Sequence, residues 1–109
     1  MLRDFFLALS QSEFMQSQLL IVIYGKVTGV SFRSSAKKEA ENLGLNGYAR
    51  NIETENGDAV EIMLEGEEDV LSEFLAWATK GPKGAKVKEI EFNYREYSGE
   101  FSGFEVVEE

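Results

Sequence analysis

The strongest constraint on the fold lies between residues 19 and 43. A solid apolar run, Leu19-Leu20-Ile21-Val22-Ile23, passes into Tyr24-Gly25-Lys26-Val27-Thr28-Gly29-Val30-Ser31-Phe32-Arg33, and then into an Ala- and Lys-rich run from Ser34 to Leu43. The apolar run is short and rich in β-branched residues, so Leu19–Tyr24 reads as a buried strand. Phe32, Ala36, Ala40 and Leu43 recur at helical intervals and give one core-facing stripe. Ser31 is placed to cap that helix and Gly44 to stop it. A strand therefore enters a glycine-punctuated loop, and the loop enters a helix. Such a loop can aim several backbone N–H groups into one concavity. The first helical turn adds free N–H groups and the positive end of its dipole. Arg33, in that turn, adds a planar and permanently charged fork. Together these favour a tetrahedral oxyanion such as a phosphoryl group. Val27, Thr28, Gly29, Val30 and Ser31 are the expected phosphate-binding residues alongside Arg33, with Gly29 at an unusual φ.

The rest of the chain supplies the frame. Tyr48–Ile52 and Ala59–Leu64 read as a second and third strand, joined through Glu53-Thr54-Glu55-Asn56-Gly57-Asp58 with its Asn-Gly turn signal. Gly66 to Lys80 reads as a second helix. Val70, Phe74, Trp77 and Ala78 form its core face, flanked by Leu71 and Leu75. Acidic residues crowd its first turn, and Lys80-Gly81-Pro82 ends it. Val87–Tyr97 reads as a fourth strand, with Val87, Glu89 and Glu91 alternating against Lys88, Ile90, Phe92 and Tyr94. Ser98-Gly99 turns the chain, and Gly103–Val107 is a short last strand at an edge. The order βαββαβ plus a fifth strand predicts an α+β, ferredoxin-like two-layer sandwich, with an antiparallel sheet carrying two helices on one face.

Composition removes whole classes of chemistry. The 109 residues contain no Cys and no His, so there is no thiolate nucleophile, no imidazole base and neither a thiolate nor an imidazole metal ligand. Any catalysis must work through positioning, hydrogen bonds and fixed charge. A net charge of −9 argues against generic binding to nucleic acid or anionic membranes. The charge is uneven, however. Residues 25–51 hold five Lys/Arg against two Glu, while residues 52–109 hold five basic and sixteen acidic groups. The basic island coincides with the oxyanion loop, although Lys37 and Lys38 are also ordinary solvated helix residues.

Residues 1–18 form an N-terminal extension to a domain spanning 19–109. Leu2, Phe5, Phe6 and Leu9 fall at helical spacing, which predicts a short amphipathic helix. The stretch makes a poor secretory signal and is too short to span a bilayer. Met15 precedes the first strand, and residues 1–14 are expected to be dispensable for activity.

The motif Gly-x-Val-x-Gly-Val-x-Phe-Arg, here Gly25 to Arg33, resembles the signature loop of the acylphosphatases. The resemblance continues through Leu43-Gly44-Leu45-Asn46-Gly47-Tyr48-Ala49-Arg50-Asn51, Gly57, Val60-Glu61, Glu65-Gly66 and Phe74-x-x-Trp77. It ends with Gly81-Pro82-x-x-Ala85-x-Val87 and Phe104-x-Val106, so it covers about residues 19–107. Three places depart from the family pattern. Thr28 stands where Gln is usual, Tyr48 where Trp is common, and the connection after the second strand is about two residues longer.

The resemblance implies hydrolysis of acyl phosphates to a carboxylate and inorganic phosphate, with no metal, no cofactor and no covalent intermediate. It implies Arg33 and Asn51 as the catalytic pair. Arg33 can hold two phosphate oxygens at once. Asn51 is no base, but its amide oxygen can hold a water in line with the leaving carboxylate. Asn51 taken alone would read as a turn residue, and Arg50 as a solvated strand-end charge. The expected partner is a small-molecule acyl phosphate, with no nucleic acid and no membrane, for a cytoplasmic monomer. Two other functions fit the same residues: a non-catalytic phosphate-binding or regulatory module, and a stand-alone carbamoyl-phosphate-handling domain. An RNA-binding sandwich fits poorly, because the aromatic and basic surface motif is missing.

Overall fold

The computed structural model describes residues 15–29 and 31–108. The expected N-terminal helix, the dispensability of residues 1–14, and Val30 all lie outside the described residues. The elements run β1 (Gln16–Lys26), α1 (Phe32–Asn42), β2 (Asn46–Thr54), β3 (Gly57–Glu67), α2 (Glu68–Lys80), β4 (Lys86–Arg95) and β5 (Phe104–Val106). The strands form one sheet in the order β4-β1-β3-β2-β5. Leu19, Ile21 and Ile23 of β1, Ala49 of β2, and Val60, Ile62 and Leu64 of β3 point to one face. Phe32, Ala36 and Ala40 of α1 and Leu71, Phe74 and Ala78 of α2 close over that face in a single core. Each large apolar side chain taken fully from water here contributes about 1.5–3 kcal/mol. The ferredoxin-like two-layer sandwich is thus present, with one amendment. β1 to β4 pair antiparallel, but β5 lies parallel to β2, so the sheet is mixed.

Local differences from the sequence reading have local causes. β1 starts at Gln16, before the apolar run, because its buried polar residues find partners: Ser17 Oγ donates to Glu68 at 3.0 Å and Gln18 Nε2 to Glu65 at 2.8 Å. β3 likewise continues through Gly66 and Glu67, which pair with Ser17 and Gln16, so α2 begins at Glu68 rather than Gly66. On α2, Leu71 is fully buried while Val70 and Trp77 are only partly so, the reverse of the expected order for Leu71 and Val70. Trp77 packs between Phe32 and Phe74, with ring centroids 5.5 and 5.3 Å away. The β2–β3 hairpin is longer but not looser: Thr54 pairs with Gly57, which leaves a two-residue turn at Glu55-Asn56. Gly57 is therefore in the ladder rather than in the turn.

In β4 the simple alternation fails. Tyr24 pairs with Glu89 and Gly25 with Val87, so Lys88 is an extra residue in a β-bulge. The bulge lets Val87 and Ile90, three residues apart, both pack against the core. It also explains Gly25, whose φ is 130° and where a Cβ would run into the Lys86 and Lys88 backbone. Gly25 serves this close strand contact at the exit of β1.

Residues 96–103 cross the sheet end from one edge to the other, on the face away from the helices. Glu65, at 3% exposure, is their anchor. Its Oε2 accepts from Ser98 N at 2.7 Å, Ser98 Oγ at 2.8 Å and Gln18 Nε2 at 2.8 Å, and its Oε1 accepts from Gly99 N at 3.0 Å. Burial alone would raise the Glu65 pKa, but the donors of Ser98, Gln18 and Gly99 outweigh it and hold the carboxyl below its ordinary 4.5. A depressed carboxylate stabilises the fold above its unfolded pKa, and that share is lost as pH falls through the folded value. Glu65→Gln turns an acceptor into an amide that must face N–H donors, and should cost about 2–3 kcal/mol at neutral pH. The difference in stability between parent and variant should shrink on acidification below about pH 4, measured by urea unfolding at several pH values.

Candidate active site

The loop between β1 and α1 is pinned at both ends by buried side chains, Val27 before it and Phe32 after it, each 1% exposed. Anchoring Phe32 in the core against Trp77 turns the next residue, Arg33, outward. The left-handed backbone belongs to Ser31, with φ 59° and ψ 27°; Gly29, expected at an unusual φ, is not among the glycines of positive φ. A left-handed serine is strained by about 1–2 kcal/mol and persists only where its surroundings hold it. Ser31 stands at the N-cap position, but its side chain makes no capping bond. Its carbonyl instead accepts from Ser35 N at 3.0 Å and Ser34 Oγ at 3.1 Å. Ser35 is thus the first helical donor satisfied by Ser31, and the N–H groups of Phe32, Arg33 and Ser34 belong to the unpaired first turn.

This turn opens on a cavity of about 290 Å³ lined by Val27, Thr28, Gly29, Ser31, Arg33 and Asn51, among others. The cavity brings together Arg33, Asn51 and every described member of the expected phosphate-binding set. Arg33 comes from the first turn of α1, and Asn51 from β2. The two-residue period of β2 decides which side chains face the cavity. Ala49, fully buried, points to the helices, and Asn51 follows on the same side. Arg50 points to the other face, where its Nε donates to Glu61 at 2.8 Å opposite it in the ladder. Lys26, Lys37, Lys38 and Arg50 do not line the cavity, so Arg33 is the one member of the basic island that does.

The polar atoms of the two central residues are selectively engaged. Arg33 Nη1 donates to the Val107 carbonyl at 3.0 Å and meets Glu108 Oε2 at 3.4 Å. Its Nε and Nη2 make no hydrogen bond to the described residues. One edge of the guanidinium is held, and the other keeps its two parallel donors. Asn51 Oδ1 is buried and accepts no hydrogen bond from a described group. An amide oxygen buried this way ordinarily costs about 1–3 kcal/mol unless a partner meets it.

Two participants had no sequence signal. Val107 and Glu108 lie 74 and 75 residues from Arg33 along the chain. They arrive because β5 lies beside β2, and Val107 N is fixed by the Ala49 carbonyl at 2.9 Å. Only the parallel pairing of β5 places them there.

The acylphosphatase family model matches residues 19–106. An acylphosphatase of Aeropyrum pernix is 41% identical over 86 residues, covering 79% of this chain and 83% of the relative. The structure of an acylphosphatase from Coxiella burnetii superposes with a TM-score of 0.75 at 33% identity, over 84% of this chain and 93% of the other. Full-length HypF, in a phosphate- and nucleotide-bound form, gives a TM-score of 0.76 at 27% identity over 87% of this chain, but over only 12% of its own. The likeness therefore spans the β1–α1 loop, the strand bearing Asn51 and the sandwich that joins them, and the chain belongs to the acylphosphatase family.

Proposed function

We propose that this chain hydrolyses the carboxyl–phosphate anhydride of small acyl phosphates with Arg33 and the β1–α1 loop gripping the phosphoryl group and Asn51 holding the attacking water. The observation that carries the mechanism is the pair of half-engaged side chains on one cavity. Arg33 keeps Nε and Nη2 for two phosphate oxygens, and Asn51 keeps Oδ1 for a water proton. Backbone N–H groups from Val27 to Ser31, and those of the first turn of α1, complete the cradle. The turn from left-handed Ser31 into right-handed α1 supports it, because such alternation points successive N–H groups to one side.

Phosphoryl transfer passes through a transition state with charge spread on the equatorial oxygens, so the protein's task is positioning and charge stabilisation. The water oxygen bonds to phosphorus as the bond from phosphorus to the acyl oxygen breaks. The leaving group departs as a carboxylate, already stable at neutral pH, and requires no strong acid. The water's proton passes to the phosphoryl group itself, consistent with a chain that has no His and no Cys. Thr28, on the cavity wall, contributes its main chain; its side chain has no assigned part in the chemistry.

The substrate is a small molecule, met by a cytoplasmic monomer. The phosphoryl end is common to acetyl, carbamoyl and glycerate acyl phosphates, so the gripping residues serve each. A turnover assay with a chromogenic acyl phosphate, with and without a metal chelator, tests the proposal. The expected result is phosphate release at a rate the chelator leaves unchanged. Tight phosphate binding without turnover would identify a binding module, and loss of turnover with chelator would overturn the metal-free mechanism.

A further inference from the structure

We propose that Glu108 is a built-in electrostatic competitor on Arg33, a tethered carboxylate at Nη1 whose charge opposes a phosphoryl group taken by the same guanidinium through Nε and Nη2; this rests on the phosphate site proposed above. Glu108 lines the same cavity as Arg33 and Asn51. Its Oε2 lies 3.4 Å from Arg33 Nη1, and its side chain is 76% exposed against 25% for Arg33. A contact of that length and exposure is weak and releasable. Nor is it what orients the guanidinium. The Val107 carbonyl does so at 3.0 Å, and the backbone of Val107 is itself tied to Ala49. Truncating the Glu108 side chain leaves that main-chain anchor in place.

What Glu108 adds is therefore charge. A carboxylate is an oxyanion, the same kind of group that the cavity selects, and it sits on the cation meant for the ligand. With the cavity free of phosphate it offsets the Arg33 charge. With a phosphoryl dianion bound it repels the ligand across a short, partly solvated gap. The effect opposes both substrate binding and product retention, so it raises KM and hastens phosphate release.

The test compares the parent chain with Glu108→Gln and Glu100→Gln, using inorganic phosphate as the probe at fixed ionic strength. Glu100→Gln removes the same charge from an exposed position that does not line the cavity. Phosphate affinity, measured by calorimetry and as competitive inhibition, should tighten about three- to tenfold in Glu108→Gln, the scale of one partly exposed charge pair with a dianion. KM for an acyl phosphate should fall in parallel, while Glu100→Gln should match the parent. Unchanged or weaker phosphate binding in Glu108→Gln would overturn the proposal, and so would equal tightening in Glu100→Gln. A fall in kcat would make Glu108 a positioning residue instead. Failure of the underlying site looks different: phosphate would then bind neither the parent nor either variant, or would bind the parent and Arg33→Gln equally.

Discussion

Asn51→Ala is expected to reduce kcat by about 10²–10³-fold while phosphate still binds within about twofold of the parent. The separation follows from geometry. In the proposed mechanism Arg33 and the loop amides hold the phosphoryl oxygens, and the substitution touches none of them. Oδ1 of Asn51 is the buried acceptor with no described protein donor. On the proposed mechanism its removal takes away the water's orientation and leaves the ground-state grip intact, so kcat should fall and the phosphate inhibition constant should not change. Stability should hold or rise slightly, because a buried unsatisfied oxygen leaves the fold. Steady-state kinetics, phosphate inhibition and thermal unfolding on one preparation separate these outcomes. Near-normal turnover of an acyl phosphate by Asn51→Ala would remove Asn51 from the mechanism.

Arg33→Gln should behave differently, losing phosphate affinity and turnover together. In the proposed mechanism the guanidinium contributes to the bound ligand and to the transition state, so kcat/KM should fall by about 10²–10³-fold and phosphate binding by about tenfold or more. Arg33→Lys is the informative companion. Lysine keeps the positive charge but cannot donate at once to the Val107 carbonyl and, in parallel, to two phosphate oxygens. It should recover part of the phosphate affinity and little of the rate. Full recovery of rate by lysine would show that the fork geometry is irrelevant and that a point charge suffices.

How much of this was legible beforehand depended on the range of the interaction. The strand, loop and helix around residues 19–43 were readable, since Leu19, Ile21, Ile23, Phe32, Ala36 and Ala40 are all in the core that the pattern implied. The pairing of Arg33 with Asn51 came from the resemblance to the acylphosphatases, and in the structure both residues line one cavity. Torsions inside the loop were not readable. Glycine was the natural candidate for a left-handed residue, but the strained position is Ser31, held between buried Val27 and the helix started by buried Phe32. Glu65 was equally opaque. A glutamate closing the run Ile62-Met63-Leu64 looks solvent-facing until residues 98 and 99 fold over it. Leu71 and Val70 are neighbours at the border of one stripe, and the packing of other elements decides which is buried. Val107 and Glu108 depend on β5 choosing the β2 edge, a choice that no local pattern encodes.

The bulge in β4 has a consequence away from the chemistry. Among the described residues β4 is the outermost strand on its side of the sheet, and it carries exposed aromatic rings at Phe92 and Tyr94. A flat, apolar border of that kind would invite another chain to add a strand. The kink at Lys88 interrupts the regular spacing of free main-chain groups, and the exposed charges of Lys86, Lys88, Glu89 and Glu91 make the border costly to desolvate. The same irregularity that fits Val87 and Ile90 to the core thus protects the sheet against edge-to-edge aggregation.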